Sequence, residues 1–573
     1  KPFQIEGMTA QVMGQDVLLH AATGSGKTGI AAGPHLLPSN KGCVTLVVSP
    51  LIALHTEQDT TFQEEFGLKA IAINSAYEGC TRSVMKRITE GEWQIVILSP
   101  EMLQSRCFVQ HVLQRKEFGS RILSVFIDEA HCVSHWGDSF RKKYGTLGNV
   151  RAHLLHNIPF IAVSATLTPR VRRDILDKLQ YSSNYLFINI GNDRPAVSQV
   201  VRAIEHPMNT YLDLDFVVPP TQMAIADIPK MFLYMDDIKA GSSIVDHLNQ
   251  QVDMRLRDLG LVRPYTAAMS QKYRTAVMKL FKEGIIRVLV CTDAAGMGCN
   301  ISDVDIVIQW KMPPTLSAWV QRAGRAARSP LCQGLAIMLV EKNVFTVDPS
   351  APDPTAVSSL NCSHGKATQG TRIVGRKPTP TRSTGAARAK MPKGYAIQHG
   401  QHRRSSDGKH DEVEFTHEPE VPPDAAKEGL YAYIQTTVCR RQLLSKIYGN
   451  ERSTPQEHCY DICNPTLFDH VRAPPPTRAP RQQAAKKHAP LSKVREALYA
   501  WRKTIKQENY PRSLVSPLGI LSDDACELIA STTPFPTKDK LYKVFGSGWA
   551  RWERHSNALY SILQEFSPPI SSP

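Results

Sequence analysis

The chain has 573 residues, of which 42% are hydrophobic, so it is long enough for several domains with their own cores. Its 68 Lys and Arg exceed 53 Asp and Glu, and the net charge of +15 favours polyanionic partners. We expect no membrane span, because no run of about 18 apolar residues occurs, and the twelve scattered cysteines are typical of reduced intracellular thiols rather than a disulfide scaffold.

Short apolar runs alternate with helix-compatible stretches over residues 1–205. The runs are VTLVVSP (44–50), WQIVILSP (93–100), ILSVFIDEA (122–130) and PFIAVSAT (159–166). Their length and composition are typical of parallel strands that are buried on both faces and joined by crossover helices. We therefore predict an α/β lobe whose chemistry gathers at the carboxyl ends of the strands.

The string ATGSGKT (22–28) follows the apolar run DVLLH and precedes a helix-compatible stretch, with Ala21 in the place of the usual first glycine. Glycines at such a turn let backbone amides converge on phosphate oxygens, and the lysine can reach the β- and γ-phosphates. The threonine hydroxyl can bind Mg²⁺. The predicted ATP-binding residues are Thr23, Gly24, Ser25, Gly26, Lys27 and Thr28.

The string DEAH (128–131) closes the apolar run that begins at residue 122. We predict that Asp128 holds the Mg²⁺ shell and that Glu129 orients or deprotonates the attacking water. His131 would couple this site to a second lobe. The alternative, two exposed carboxylates at a strand end, is disfavoured by the phosphate loop upstream.

A second α/β series follows and defines a predicted lobe over residues 206–342. Its strand-like runs are MFLYM (231–235), IRVLVCTD (286–293), VDIVIQW (304–310) and GLAIMLV (334–340). QRAGRAAR (321–328) then places Arg325 and Arg328 three apart, which predicts one face of a helix. Across a cleft these side chains can meet the γ-phosphate as arginine fingers, although a basic surface helix would show the same pattern.

The rest of the chain divides into two linkers and two helical parts. Residues 343–424 are rich in Pro, Ser, Thr and Gly, and residues 351–410 hold 11 Lys and Arg against 2 Asp. This composition predicts a disordered, solvated linker. Helical patterns return at 425–470 and at 491–566, on either side of a Pro-rich linker at 471–490.

These motifs resemble the RecQ family of superfamily 2 helicases over roughly 1–342 and 425–463. VVSPLIALHTEQ (47–58) is similar to the family's DNA-contacting motif Ia, and Gln4, 23 residues before Lys27, matches its adenine-reading glutamine. Gln321 stands where RNA helicases of the DEAD-box type usually carry His. The resemblance implies two tandem RecA-like parallel-sheet lobes, followed by a small helical zinc-binding subdomain and a C-terminal helical module.

The segment HCVSHWGDSFRKKY (131–144) resembles the family's aromatic-rich loop, in which aromatic rings stack on unpaired bases and an arginine pairs with phosphate. The resemblance implies a DNA-binding set of Ser49, Pro50, Trp136, Phe140 and Arg141. Asp138 and Ser139 depart from the family pattern, which usually has His and Asp there.

The string YIQTTVCRRQLLSKIYGN (433–450) resembles the helical hairpin that opens the family's zinc subdomain. By that resemblance Cys439, Cys459 and Cys463 are zinc ligands, and His458 is the candidate for a fourth position, as in other Cys₃His sites. The alternative is a site that has lost its metal and is held by packing alone.

Only about 27 residues separate Cys463 from the last helical module, too few for the family's winged helix, so we expect a chain without that domain. The module at 491–566 weakly resembles the family's helicase-and-RNase-D C-terminal domain, and any small helical bundle shows the same spacing. Because the chain begins at Lys1 rather than Met, we expect its natural N-terminus to lie upstream.

The leading functional hypothesis is an ATP-dependent 3′→5′ DNA helicase of the RecQ type that uses ATP, Mg²⁺ and Zn²⁺ and acts on single-stranded and duplex DNA. The long basic insert favours a eukaryotic, nuclear protein. The alternatives are a catalytically weakened relative that only binds DNA and an RNA helicase. Lys27, Glu129 and the two arginines disfavour the first alternative, and Gln321 with the aromatic loop disfavours the second.

Overall fold

The computed structural model of the chain describes residues 1–50, 52–74, 81–135, 141–154, 158–296, 301–328, 332–349, 420–450, 459–475, 488–511, 516–546, 549 and 551–566. Most of the predicted linker at 343–424 lies outside these residues, as does most of the linker at 471–490. Within the described ranges, no helix combines the length and the apolar character that crossing a bilayer requires.

The first lobe is built on a seven-stranded sheet. Its strands are β1 (Val17–Ala21), β2 (Val44–Val48), β3 (Ala70–Ile73), β4 (Ile95–Leu98), β5 (Ile122–Ile127), β6 (Phe160–Ser164) and β7 (Leu186–Gly191). All pairings are parallel, in the order β3-β4-β2-β5-β6-β1-β7. The four predicted runs form β2, β4, β5 and β6, whereas the sequence did not predict the edge strands β3 and β7, which carry partly exposed residues.

Helices cover both faces of this sheet. The α-helices of the first lobe are Pro2–Val12, Thr28–Ala32, Ile52–Glu64, Arg82–Glu90, Pro100–Leu103, Arg106–Phe108, Lys116–Gly119, Cys132–His135, Lys142–Gly145 and Pro169–Lys178. Their starts follow local chemistry: Pro169 occupies the first turn of its helix, and the Thr168 hydroxyl accepts a hydrogen bond from the Val171 amide.

The second lobe is built on a six-stranded sheet. Its strands are β8 (Val197–Ala203), β9 (Met231–Met235), β10 (Val262–Tyr265), β11 (Val288–Cys291), β12 (Ile306–Trp310) and β13 (Gly334–Val340). They are again all parallel, in the order β10-β11-β9-β12-β13-β8. The prediction of two parallel-sheet lobes is therefore confirmed. Because β8 pairs with β13, the chain enters the second sheet before residue 205, earlier than the predicted boundary.

The α-helices of the second lobe are Ile238–Gln251, Met254–Arg257, Gln271–Lys282, Asp293–Gly296 and Leu316–Ala323. The last of these, here called the cleft helix, begins at the N-cap Thr315, whose hydroxyl accepts a hydrogen bond from the Ala318 amide. It buries Leu316 and Trp319 in its own lobe, and this packing fixes the face that it turns toward the first lobe.

After the linker, the helices Leu430–Gln435 and Arg440–Tyr448 form the hairpin predicted from the family resemblance. It packs on the second lobe, where one hydrophobic cluster includes Trp319, Tyr433 and Tyr460. The C-terminal module then forms a separate core from the helices Ser492–Asn509, Pro517–Ile520, Asp523–Thr532, Lys538–Val544 and Trp552–Gln564. Its Arg551 forms an ion pair with Asp246 of the second lobe.

The cysteines only partly match the expectation of free thiols. The free ones in the described ranges are Cys43, Cys132, Cys291, Cys332, Cys439, Cys459, Cys463 and Cys526. Cys107 is disulfide-bonded instead, so the prediction of a reduced thiol is wrong at this position.

Candidate nucleotide site between the two lobes

The predicted phosphate loop connects β1 to the helix Thr28–Ala32. Gly24 and Gly26 have φ values of 79° and 93°, in the left-handed region that glycine adopts without steric cost. The Lys27 ammonium donates hydrogen bonds to the carbonyls of Ala21 and Ala22, at 3.2 and 3.1 Å. Burial lowers the pKa of Lys27, and the loop therefore places a desolvated cation where a phosphate would lie.

Two further features suit this loop to an anion. The Ser25 hydroxyl is buried and has no hydrogen-bond partner among the residues that the structure describes. Gln4 lies beside the loop, where its side-chain amide donates a hydrogen bond to the Gly26 carbonyl at 2.8 Å. The structure thus brings Gln4 together with the predicted phosphate-loop residues 23–28.

The two acidic residues after β5 lie next to this loop. Asp128 accepts hydrogen bonds from the Gln58 side chain at 2.8 Å and from the Glu129 amide at 2.9 Å. Burial and the neighbouring Glu129 raise the pKa of Asp128 to about 6. Burial alone would raise the pKa of Glu129 too, but His131 and Lys27 hold it below its ordinary value.

The second lobe contributes Arg325 and Arg328 to the same place. Both guanidinium groups are close enough to lower the pKa of Lys27 and to help lower that of Glu129. Burial and the charges of Arg325 and Arg194 lower the pKa of Arg328 to about 9. The cleft therefore concentrates positive charge around the phosphate loop, and such charge calls for an anionic ligand.

The prediction that Arg325 and Arg328 share one face of a helix is wrong. The cleft helix ends at Ala323 with Gly324 as its C-cap, and Ala327 has a positive φ of 45°. Both arginines are therefore presented by an irregular segment that follows the helix.

Arg194 explains why the helix stops there. Its guanidinium donates to the carbonyls of Gly324 at 3.0 Å, Ala326 at 3.2 Å and Ala327 at 2.9 Å. These carbonyls lie past the helix end, and a five-donor planar group can satisfy several of them at once. The same side chain donates to the Thr23 carbonyl of the phosphate loop at 3.3 Å. Sequence reasoning missed Arg194 because no local motif marks it.

The two lobes also meet at His131. The Gln321 side-chain amide lies 2.9 Å from His131 Nε2 and donates a hydrogen bond to the Thr166 hydroxyl at 2.9 Å. His131 is in turn 3.0 Å from the Ser164 hydroxyl and 3.3 Å from the Glu129 carboxylate. Burial lowers the pKa of His131 to about 4, so the ring is neutral at neutral pH.

The predicted DNA-binding residues are only partly described. Trp136 and Phe140 lie outside the described residues. Arg141 donates to the Pro50 carbonyl and forms an ion pair with Glu101, which ties the end of the aromatic-rich segment to motif Ia. Ser49 is fully buried, so its side chain faces the interior of the lobe.

Three of the predicted zinc ligands lie together below the hairpin. The sulfur atoms of Cys439, Cys459 and Cys463 all lie within 4.8 Å of one another, and the first two are 3.4 Å apart. Hydrogen bonding from Cys459 lowers the pKa of Cys439 to about 5, while the pKa values of the other two thiols are raised. One thiolate held by two thiols is a donor set that suits a thiophilic metal. His458 lies outside the described residues.

Two family models support the lobes as helicase lobes. The family model for DEAD/DEAH box helicases matches residues 1–175, and the model for the helicase conserved C-terminal domain matches residues 241–330. The solved structure of the Mycobacterium smegmatis helicase Lhr bound to ssDNA and AMP-PNP aligns with 60% of this chain and 46% of its own, at 19% identity and a TM-score of 0.45.

Two relatives define the family more narrowly. The ATP-dependent DNA helicase RecQ of Haemophilus influenzae is 29% identical over 332 residues, which are 57% of this chain and 49% of that protein. The ATP-dependent DNA helicase Q-like 2 of Arabidopsis thaliana is 30% identical over 338 residues, or 57% and 45% of the two chains. The chain thus spans about half the length of the curated relatives it matches. The two family models place the lobes among the superfamily 2 helicases, and the relatives that match both lobes are helicases of the RecQ family.

Proposed function

We propose that this chain is an ATP-dependent DNA helicase, which couples ATP hydrolysis to 3′→5′ movement along single-stranded DNA and to duplex unwinding. The observation that carries the proposal is the cationic cleft between the lobes. Arg325 and Arg328 of the second lobe act electrostatically on Lys27 and Glu129 of the first. A protein that only binds DNA has no need of a site completed across two lobes.

ATP and Mg²⁺ fit the residues present. A metal–triphosphate complex would satisfy three groups of this loop and its surroundings: the Ser25 hydroxyl, which lacks a partner within the described ranges, the desolvated Lys27 ammonium and the buried Asp128 carboxylate. Thr28 and Asp128 would hold Mg²⁺, which when bound neutralises charge on the phosphate oxygens. Gln4, beside the loop, would read the adenine ring.

The reaction that follows from this geometry is attack of water on the γ-phosphate. Glu129 orients the water and accepts its proton, a role that its carboxylate fills because its low pKa keeps it ionised. Arg325 and Arg328 neutralise the negative charge that develops on the transferred group. Lys27 holds the β- and γ-phosphates in place.

Coupling to DNA would run through the contacts near His131. Gln321 spans the cleft to His131, next to the water-activating Glu129, so closure of the lobes and the geometry of hydrolysis are linked. Arg141 would contact the DNA backbone, while Trp136 and Phe140 would stack on bases.

The cysteine cluster is proposed as a Zn²⁺ site formed by Cys439, Cys459 and Cys463, with His458 as the fourth ligand. Tetrahedral Zn–S bonds of about 2.3 Å require sulfur atoms about 3.8 Å apart, close to the separations in this cluster. Metal analysis of the purified protein should find one Zn per chain, and Cys463→Ser should reduce that content.

The decisive experiment is the steady-state ATPase rate with and without single-stranded DNA, for the parent chain and for Glu129→Gln and Trp136→Ala. We expect stimulation by DNA, loss of hydrolysis in Glu129→Gln and weaker stimulation in Trp136→Ala. If the parent chain hydrolyses ATP no faster than Glu129→Gln, the chain is a relative that only binds DNA. If RNA stimulates hydrolysis more strongly than DNA, the chain is an RNA helicase.

Polarity and unwinding are tested on partial duplexes with either a 3′ or a 5′ single-stranded tail. The proposal expects strand displacement from the 3′-tailed substrate, where a 3′→5′ motor loads, and none from the 5′-tailed one.

A nuclear location, proposed from the basic insert at 351–410, is tested by imaging the tagged chain in cells.

A further inference from the structure

Glu428, in the segment just before the hairpin, lies between the two lobes. Its Oε1 is 2.5 Å from His135 Nε2 of the first lobe, and its Oε2 accepts a hydrogen bond from the Ser317 amide of the second lobe at 3.0 Å. The side chain is only 6% exposed. One buried carboxylate therefore joins three parts of the molecule: the hairpin segment and both lobes.

The contact that Glu428 makes lies next to a second contact between the lobes, the one at His131. His131 and His135 are one helical turn apart, with an amide-to-carbonyl bond of 3.1 Å between them and ring centroids separated by 5.7 Å. Ser317 and Gln321 are likewise one turn apart, on the cleft helix, so they share a face. Gln321 meets His131, and Glu428 connects His135 to Ser317. Two contacts therefore link the lobes, and they are one helical turn apart on both sides of the cleft.

The backbone shows that this placement is specific. Lys427, Glu428 and Gly429 have φ values of 52°, 63° and 83°, all in the left-handed region. Residues other than glycine adopt it at an energetic cost and persist there where their surroundings require it. The Lys427 ammonium, which donates to the Pro314 carbonyl at 3.2 Å, fixes the same turn on the second lobe.

The position of His135 gives the contact a functional meaning. His135 directly precedes residues 136–140, the predicted base-contacting part of the aromatic-rich loop. The charge of Glu428 also acts on His131, where it opposes the effect of burial on the pKa of that ring. A change at the base of the loop can therefore reach the cleft helix and the histidine beside the hydrolytic site.

We propose that Glu428 is a positioning residue that transmits DNA binding to ATP hydrolysis, by holding His135 against the helix whose Gln321 contacts His131. This inference rests on the proposed function, because it assumes that DNA bound at residues 136–140 stimulates the ATPase. It predicts a defect in coupling rather than in nucleotide binding.

A merely structural role would be to dock the hairpin on the first lobe, and the chain offers a matched control for it. Asp424 lies in the same segment and forms an ion pair with Arg173 of the first lobe, but both side chains are about half exposed and neither touches the second lobe in that pair. Exposed pairs of this kind contribute little to stability. Asp424→Asn therefore removes a docking contact and leaves the link between the lobes.

The experiment compares the full chain with Glu428→Gln and Asp424→Asn. ATP turnover is measured without DNA and at saturating oligo-dT, together with the KM for ATP. We expect Glu428→Gln to lower the ratio of DNA-stimulated to basal rate roughly 2- to 30-fold, the range of couplings between sites, with an unchanged KM. Asp424→Asn should keep the parent ratio.

Two further variants keep the result decisive. His135→Gln approaches the contact from the first lobe, so it tests the proposal even where Glu428→Gln folds poorly. The double variant should be no worse than either single one, because both remove the same link. The inference is overturned if folded Glu428→Gln keeps the parent's ratio of DNA-stimulated to basal rate, or if Asp424→Asn lowers that ratio as much as Glu428→Gln does. Either result leaves the helicase assignment intact. A parent chain that DNA does not stimulate overturns both.

Discussion

The second lobe meets its two neighbours in different ways. Toward the hairpin, a single hydrophobic cluster crosses the boundary. Buried polar groups cross it as well: Tyr433 donates to Gln199 at 2.5 Å, and Asp461, which pairs with Arg440 at 2.8 Å, accepts a hydrogen bond from the Val201 amide at 3.0 Å. Toward the first lobe, the described contacts of the cleft are polar, and the hydrophobic clusters of that lobe include no described residue of the second.

This difference indicates which parts move together. Separating an apolar interface exposes surface at roughly 25 cal/mol per Å², so the hairpin travels with the second lobe as one body. Polar contacts exchange with water at a net cost of only about 0.5–1.5 kcal/mol each. The cleft can therefore open and close around ATP, while the hairpin and its cysteine cluster stay attached to the second lobe.

The largest expected effect comes from breaking the cleft at its arginines. Arg325→Ala should lower the ATPase kcat by about 10³-fold, because arginine fingers contribute that much to phosphoryl transfer. Its Tm should change little, since the residue adds no apolar packing between the lobes. Steady-state ATPase assays and thermal unfolding measure the two effects.

Lys279→Ala is the matched control for Arg325→Ala. Lys279 is a surface cation of the same lobe, 76% exposed, and its partner is Glu283 one turn away. The control should keep the parent kcat. A similar loss in both variants would mean that general positive charge, rather than the arginine in the cleft, supports hydrolysis.

The next effect is on stability and lies at the hairpin. Asp461→Asn leaves the buried Arg440 guanidinium without its countercharge and should lower the free energy of unfolding by about 3 kcal/mol. Asp469→Asn is the control, because Asp469 pairs with Arg472 at a half-exposed site and should change stability by less than about 0.5 kcal/mol. Urea unfolding compares them, and equal midpoints would contradict a rigid attachment of the hairpin.

The sequence predicts the parts of this comparison that depend on local patterns. Eight apolar runs become strands at the predicted places, since a strand buried on both faces needs only a continuous run of apolar residues. The phosphate loop is also local, because glycines and a lysine at fixed spacing define its chemistry. The hairpin follows from its likeness to a known family.

The sequence does not predict the contacts that join distant segments. Glu428 lies 293 residues from His135, and nothing near either residue marks the pair. The end of the cleft helix was predicted wrongly for the same reason, since Arg194 captures the carbonyls beyond Gly324 from 130 residues away. Helix propensity depends only on the residues of the string QRAGRAAR itself, so it does not reveal a partner that is distant in sequence.

Arg194 supplies the third prediction, an intermediate effect on the cleft. Arg194→Lys keeps the charge but loses the planar fork that holds three carbonyls, so the segment bearing Arg325 and Arg328 should shift. We expect kcat to fall about 10- to 100-fold, the cost of misplacing catalytic groups by about 1 Å, with a smaller change in the KM for ATP. An unchanged kcat in Arg194→Lys would show that charge alone positions this segment.

The smallest predicted effect is a pH dependence of metal binding at the floor of the cleft. The pKa of Asp128, raised to about 6 by burial and by Glu129, means that the carboxyl group is protonated below that pH and ionised above it. The apparent affinity for Mg²⁺ without nucleotide should therefore level off above about pH 7 and weaken about tenfold per pH unit below 6. Calorimetric titration across this range measures the inflection.

Two variants locate that inflection. Gln58→Leu removes a hydrogen bond that lowers the pKa of Asp128, so the inflection should move to higher pH. Asp128→Asn should abolish it.

Because the pKa of Asp128 is raised on folding, its favourable contribution to stability is present below its ordinary pKa and is lost as the pH rises through 6. Asp128→Asn should accordingly gain Tm relative to the parent chain as the pH rises from about 4 to 6 and keep that gain at higher pH, and a Tm difference that is constant over this range would show that the carboxylate is not desolvated by the cleft.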